Sequence, residues 1–299
     1  MKSWIKAFRL RTLPLAFSGW LVGVSLAAST ADFSYTIAGL TLLTAILLQI
    51  LSNLANDYGD ASSGVDEKRT GEQRMVSSGQ ISPSAMRKAM IIFSILSLLS
   101  GSLLLYIAFP EDFITAMVFL SIGLIGIGAA IKYTVGKNPY GYAGFGDAFV
   151  FVFFGVVLVF GTYYLQVQNL NWEILLPAAS MGFFSVGVLN VNNIRDIESD
   201  RAAGKNSIPV RIGRKAAVRY HTFLLVSGLL FSAVYVHLNF STVWGFLFLM
   251  VGFLFRKNIR AVNTLSSAKL DPYLKQMAIS TLLFSILFSI GQLVPLLAY

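Results

Sequence analysis

The sequence predicts an all-α integral membrane protein, a polytopic helical bundle of about nine transmembrane helices in a single domain over residues 1–299. Three observations carry that expectation. Mean hydropathy is +0.69. Hydrophobic side chains make up 56% of the chain and charged ones only 12%, more apolar than a water-surrounded fold requires. All 23 Lys and Arg residues fall on alternate segments between the apolar stretches.

Stretches of roughly the 17–25 residues that cross a bilayer run at 13–31, 35–55, 89–109, 113–131, 147–166, 174–193, 216–236, 240–255 and 276–297. The first follows Lys2, Lys6, Arg9 and Arg11 and is expected to stay as a span, not to be cleaved as a leader. The second ends in NLANDYGD and opens a long charged segment, which ISPSAMRKAM (81–90) closes with Ser82 as N-cap and Pro83 at the first helical position. The fourth is followed by Lys132, Lys137 and GYAGFG (141–146). Those glycines lie near a dinucleotide-loop spacing, but no strand precedes them, so they read as a turn. The sixth ends in NVNNIRDIESD, followed by Arg201, Lys205, Arg211, Arg214, Lys215 and Arg219; the eighth is followed by Arg256, Lys257, Arg260, Lys269 and Lys275.

Because basic residues gather on cytoplasmic connections, this face is expected in the cytoplasm, with the N-terminus inside a cell (inner) membrane and the C-terminus outside. The opposite connections carry only Asp32, Glu111, Asp112 and Glu173. The net charge of +9 is thereby a topology signal, membrane lipid is the surrounding partner, and no nucleic-acid partner is implied. The chain has no Cys, which excludes disulfides and thiolate metal sites. Gly19 and Gly23, and Gly123, Gly126 and Gly128, read as close helix packing. His221 and His237 are far apart in sequence and read as structural.

Residues 53–74, NLANDYGDASSGVDEKRTGEQR, hold five acidic and three basic side chains. If the second span stays helical through residue 60, Asn53, Asn56, Asp57 and Asp60 stand at i, i+3, i+4 and i+7 on one stripe. In the sixth span Asn192 or Asn193, Asp196 and Asp200 repeat the pattern. Two such stripes can face each other around a pseudo-two-fold site. Carboxylates packed this way repel unless a cation stands between them. Oxygen ligation without His or Cys suits Mg²⁺, which takes one or two carboxylates and fills its shell with water and phosphate oxygens. Lys68, Arg69 and Arg74 after the first stripe, and Arg201, Lys205 and Arg211 after the second, supply positive charge for a diphosphate. A diphosphate held beside an apolar bundle points to a lipid substrate whose tail lies among helices.

Asn56-Asp57-x-x-Asp60 followed by KRTGEQRMVSSGQIS, with Asp196-x-x-x-Asp200 later, resembles the UbiA superfamily of intramembrane prenyltransferases over nearly the whole chain. Where many members have a third acid, this chain has Gly64, and the acid follows at Asp66. That departure resembles the branch acting on 1,4-dihydroxy-2-naphthoate in menaquinone synthesis. So do FRLRTLP (8–14), YTVGKNPYGYAGFGDAFVFVFFG (133–155), GTYY (161–164) and NNIRDIESDRAAGKNSIPVRIG (192–213).

The resemblance implies that polyprenyl diphosphate and dihydroxynaphthoate give demethylmenaquinone, diphosphate and CO₂. It implies Asn56, Asp57, Asp60, Asp66, Asp196 and Asp200 toward Mg²⁺, and Lys68, Arg69, Arg74 and Lys205 toward the diphosphate, with Asn53, Asn193 and Arg211 as further substrate contacts. Tyr133 is expected to face the allylic cation with its ring, Asp57 to be able to deprotonate a ring hydroxyl, and Arg9 to meet the acceptor carboxylate. Prenylation of another aromatic acceptor, such as 4-hydroxybenzoate or homogentisate, is the alternative nearest to this reading. A secondary transporter is the alternative of another class, although transporter sites lie near the bilayer midplane on interrupted helices and these acids sit at helix ends.

Overall fold

The computed structural model describes residues 2–28, 33–63, 74–239 and 242–297, and they are helical with no strand among them. Asp66, Lys68 and Arg69 lie outside the described residues. The chain opens with α1 (Lys2–Phe8) and α2 (Leu13–Ala27), bent by 50° at a short break. Arg9 at that break has φ 50, a left-handed conformation that cannot continue a helix, and Pro14 helps to start the next one.

Helix α3 runs over Tyr35–Ser62, starting where Ser34 Oγ accepts from Ile37 N at 3.3 Å. Its 28 residues rise about 42 Å, beyond the ~30 Å of a bilayer's hydrocarbon core. The apolar window at 35–55 therefore ends before the helix does, and the acid-bearing turns project past it. Helix α4 (Pro83–Ala108) begins as expected, with Ser82 Oγ accepting from Ala85 N at 3.2 Å. Helix α5 (Phe113–Lys132) is capped by Asp112, which accepts from Thr115 N at 3.0 Å.

The next span, Gly146–Val167, is built from α6 (Gly146–Val150), π-helical turns over Phe151–Phe160 and α7 (Gly161–Val167). Helix α8 (Leu175–Arg195) is the most enclosed span and is followed by the short α9 (Ile197–Ala202). Helix α10 (Ile208–Asn239) is interrupted at Gly213 (φ 77), α11 covers Gly252–Thr264 and α12 covers Asp271–Leu297.

Among the described residues, seven helices are long and apolar enough to cross a membrane, eight if α1 and α2 count as one bent span. The stretch expected at 240–255 is not a straight apolar α-helix. It enters as 3₁₀ turns over Val243–Val251, packed along α12, and turns amphipathic in α11, where Arg256, Lys257 and Arg260 lie. Phe184, Phe248, Phe255, Phe284 and Phe288 interlock the second half, with Phe184 and Phe284 centroids 4.6 Å apart. In lipid such rings hold helices together by close packing, because the surrounding tails are as apolar as they are.

Candidate active site

A cavity of about 380 Å³ opens between α2, α3, α4, α5, the Gly146–Val167 span and α8. One end is polar, lined by Arg9, Asn53, Asn56, Asp60, Arg74 and Lys205; the far wall is apolar, with Leu104, Phe119, Leu120 and Leu165. The second motif reaches the polar end through Asn192, Asn193 and Lys205, whereas its acids Asp196 and Asp200 are buried off the lining. On α3, Asn56 and Asp60 are four residues apart, and Asn192 and Asp196 repeat that spacing at the end of α8.

Asp60 is buried and receives Arg74 Nη2 at 2.5 Å and the Tyr142 hydroxyl at 2.8 Å. The Lys205 ammonium stands 5.8 Å from the Tyr142 ring centroid and 3.4 Å from Asp200 Oδ1. Ser207 adds a hydroxyl to Asp200 at 3.3 Å. The chain Asp60–Tyr142–Lys205–Asp200 thus stitches the two motifs together. Burial pushes the Asp200 carboxyl above its ordinary pKa, Lys205 pulls it back, and the nearby Asp196 and Asp60 charges raise it again. Asp196 accepts a forked pair from Arg195, Nε at 2.8 Å and Nη2 at 2.7 Å. Arg195 also reaches Asp271 at 2.6 Å and Asn192 at 2.9 Å, so α8 and α12 are locked at this end.

The expected single stripe on α3 is split. Asn53, Asn56 and Asp60 line the cavity, but Asp57 does not: its oxygens accept from Met75 N and Val76 N, both at 2.9 Å. Asp57 is a brace that fixes the turn following Arg74. Asp57→Ala removes two charge-assisted hydrogen bonds and is expected to cost about 2–4 kcal/mol of stability, with Asp57→Asn costing roughly half. Thermal unfolding of the purified variants measures this. An unshifted midpoint with altered metal dependence would return Asp57 to the metal site.

Arg211 also lies off the cavity lining, exposed, with its guanidinium on the Ala143 carbonyl. Asn193 lines the cavity, and its Oδ1 is buried with no hydrogen-bond partner. Tyr133, the C-cap of α5, lines the cavity edge-to-face with Tyr140 at 5.4 Å. A Cβ at Gly141 would stand 3.0 Å from its ring and one at Gly146 2.9 Å from its hydroxyl, so the two glycines form a slot that fits the phenol alone. Burial first, then the charges of Asp147, Asp60 and Asp200, raise the Tyr133 pKa and keep it protonated.

Tyr142 and Arg195 were not singled out by sequence reasoning. Tyr142 sits in the turn read from GYAGFG, and its signal lay in the longer 133–155 stretch; Arg195 was counted only toward topology. His221 meets Asn258 at 2.9 Å in a buried network remote from the acids, a structural placement.

Among the described residues, no three His, Cys, Asp or Glu side chains cluster as a ready metal cage. The donor set nevertheless fits a hard divalent cation that brings its own phosphate and water ligands. Asp60, Asp196 and Asp200 are buried, oxygen-only and mutually repelling, and Asn56 and Asn192 add amide oxygens. Asp60, Arg74 and Lys205 at the polar end of an apolar cavity, with Asp200 paired to Lys205 just off the lining, can hold a charged head and an oily tail at once.

Comparison with known proteins agrees with that arrangement. The chain is 43% identical over 294 residues to the 1,4-dihydroxy-2-naphthoate octaprenyltransferase of Escherichia coli (strain K12), covering 97% of this chain and 94% of that one. Its fold matches the apo structure of a UbiA homolog from Aeropyrum pernix K1, with a TM-score of 0.70 at 15% identity over 97% of this chain and 98% of that one. A UbiA homolog from Archaeoglobus fulgidus bound to GPP and Mg²⁺ superposes with a TM-score of 0.63 at 15% identity, over 96% of this chain and 100% of that one. The UbiA prenyltransferase family matches residues 16–287, which takes in every described acid and base of the site except Arg9 and Arg11 in the α1–α2 break. By sequence, and with a matching fold, the chain belongs to the UbiA prenyltransferase family.

Proposed function

We propose that this protein transfers a polyprenyl group from polyprenyl diphosphate to 1,4-dihydroxy-2-naphthoate, releasing diphosphate and CO₂ and leaving the quinol of demethylmenaquinone. The observation that carries the reading is that Asn56, Asp60 and Arg74 of the first motif and Asn192, Asn193 and Lys205 of the second line the polar end of one cavity whose far wall is apolar. The near full-length likeness to a dihydroxynaphthoate octaprenyltransferase supports the acceptor.

The reaction breaks the allylic C–O bond, and its electron pair leaves with the diphosphate. Asn56, Asp60, Asp196 and Asp200, with Asp66 as a further candidate, would hold Mg²⁺, which when bound would supply counter-charge to that leaving group. Arg74 and Lys205, joined by Lys68 and Arg69, bind the diphosphate oxygens and favour the charge that grows on them. Tyr133 offers its ring face to the allylic cation. The apolar wall excludes water, so the cation meets the aromatic ring first. The ring carbon bearing the carboxylate forms the new C–C bond. The C–CO₂ bond then breaks and returns its electrons to the ring, so no base is needed at that carbon. Arg9, on the cavity wall, is the partner proposed for the acceptor carboxylate. The basic end of the bundle faces the cytoplasm of a cell membrane, as the one-sided Lys and Arg distribution supports.

The test is a mass-spectrometric assay of purified protein in liposomes with geranylgeranyl diphosphate and Mg²⁺, dihydroxynaphthoate and 4-hydroxybenzoate competing. A prenylated, decarboxylated naphthoquinol that disappears after chelation is expected. Prenylated hydroxybenzoate in its place would overturn the acceptor, and product formed equally well without metal would overturn the metal.

A further inference from the structure

The polar atoms along the cavity fall into two kinds. On its tail side, Thr41, Thr44 and Ser97 give their hydroxyl protons to the backbone of their own helices, at 2.7, 2.8 and 2.7 Å. They offer a hydrocarbon chain no unmet donor. Beneath the α1–α2 break the pattern differs. Asn53 Nδ2 donates to Phe8 O and to Thr12 Oγ1, both at 2.9 Å. A backbone carbonyl can only accept, so this amide is oriented with its NH₂ toward the break and its Oδ1 unused.

Gln49 Nε2 reaches the same Thr12 hydroxyl at 3.3 Å. That hydroxyl gives its one proton to Arg9 O at 3.0 Å, so it accepts from both amides and fixes both orientations. Gln49 Oε1 is left buried with no hydrogen-bond partner. Gln49 and Asn53 are 7% and 3% exposed, and both line the cavity. Four residues apart on α3, they stand one turn apart on the same face of the helix, so two polar groups of one ring-sized occupant can be met by the pair.

We infer that Gln49 and Asn53 read the two hydroxyl groups of a para-dihydroxy aromatic acceptor, and that Thr12 is the positioning residue that turns both amide oxygens toward them. The inference rests on the acceptor reading above and deepens it. Two fixed acceptors demand two O–H donors, because an occupant lacking one leaves a buried carbonyl oxygen unpaired. A single-hydroxyl ring satisfies one of them, and a prenyl tail satisfies neither. Arg9, in the same break, is the residue proposed above for the carboxylate.

The experiment measures competitive inhibition constants of 1-hydroxy-2-naphthoate and 4-hydroxy-2-naphthoate against dihydroxynaphthoate, which reads binding independently of ring nucleophilicity. In the unaltered protein each analogue should bind on the order of 10- to 100-fold more weakly than the acceptor. Gln49→Met should abolish the penalty for one analogue and Asn53→Leu for the other, with the KM for polyprenyl diphosphate unchanged. Thr12→Val should shrink both penalties and Thr12→Ser restore them, which a merely structural threonine would not do. Analogues binding as tightly as the acceptor in the unaltered protein, or variants that keep both penalties or raise the diphosphate KM instead, overturn the inference while prenylation of dihydroxynaphthoate stands. No prenylation of dihydroxynaphthoate by the intact protein overturns both.

Discussion

Replacing Asp60 by Asn will lower turnover by on the order of 10³-fold, while the protein still inserts and folds. Asn has the shape of Asp, so no void opens among the α3 neighbours, and the amide oxygen still accepts from Arg74 or Tyr142. What is lost is one buried negative charge at the point where Arg74 and the Tyr142 hydroxyl converge, 2.5 and 2.8 Å away. Without it the local balance becomes positive, a metal ion is less well held, and Arg74 is no longer oriented by an ionic partner. The diphosphate KM should rise and the Mg²⁺ requirement should shift to higher concentration. Asp196→Asn should lose turnover similarly but lose more stability, because Arg195 is 3% exposed and would keep its charge with a weakened partner. Assays across a Mg²⁺ series, with thermal unfolding alongside, separate the two effects. Wild-type turnover and metal dependence in Asp60→Asn would remove the acid from the site.

Much of this arrangement was legible in the residues, and the parts that were not share a cause. Hydropathy and charge placed the spans because a lipid solvent imposes length and sidedness locally. Asn56 and Asp60 followed from helical spacing alone. Asp57 did not, because neighbouring helix positions differ by about 100° and a stripe of four positions cannot say which edge faces a cavity. That was decided by where the turn at 75–76 lands, a tertiary fact that gave both Asp57 oxygens to backbone N–H groups. Tyr142 was hidden for the same reason: its turn reaches Asp60 only because Asn206 N bonds Tyr142 O at 2.8 Å and draws the two loops together. Arg195 read as one more cytoplasmic charge until α12 brought Asp271 against it. The Gln49–Thr12–Asn53 ladder needs the left-handed break at Arg9, which no periodicity announces.

Gly59 carries the second large effect, and it is a residue that acid spacing passes over. A Cβ there would stand 2.5 Å from the Thr134 carbonyl oxygen, 2.6 Å from its hydroxyl and 2.7 Å from its carbonyl carbon. Two of those atoms are backbone and cannot rotate away, so Gly59→Ala must push the end of α5 from α3. Thr134 Oγ1 holds that seam, with its one proton shared between Ala55 O at 2.9 Å and Asn56 Oδ1 at 3.3 Å. Tyr133 and Asn56 would then separate by something near 1 Å, a displacement that can cost about 10²-fold in rate, and overpacking should cost about 1–3 kcal/mol of stability. Thr134→Ala alone should be milder, since it breaks the hydrogen bonds without forcing the helices apart. The double variant discriminates between the two causes: removing the hydroxyl leaves the carbonyl in place, so Thr134→Ala should not rescue Gly59→Ala. Rescue would mean that the side chain sets the distance; an unaffected rate and melting point in Gly59→Ala would mean that α3 and α5 are not in contact this closely.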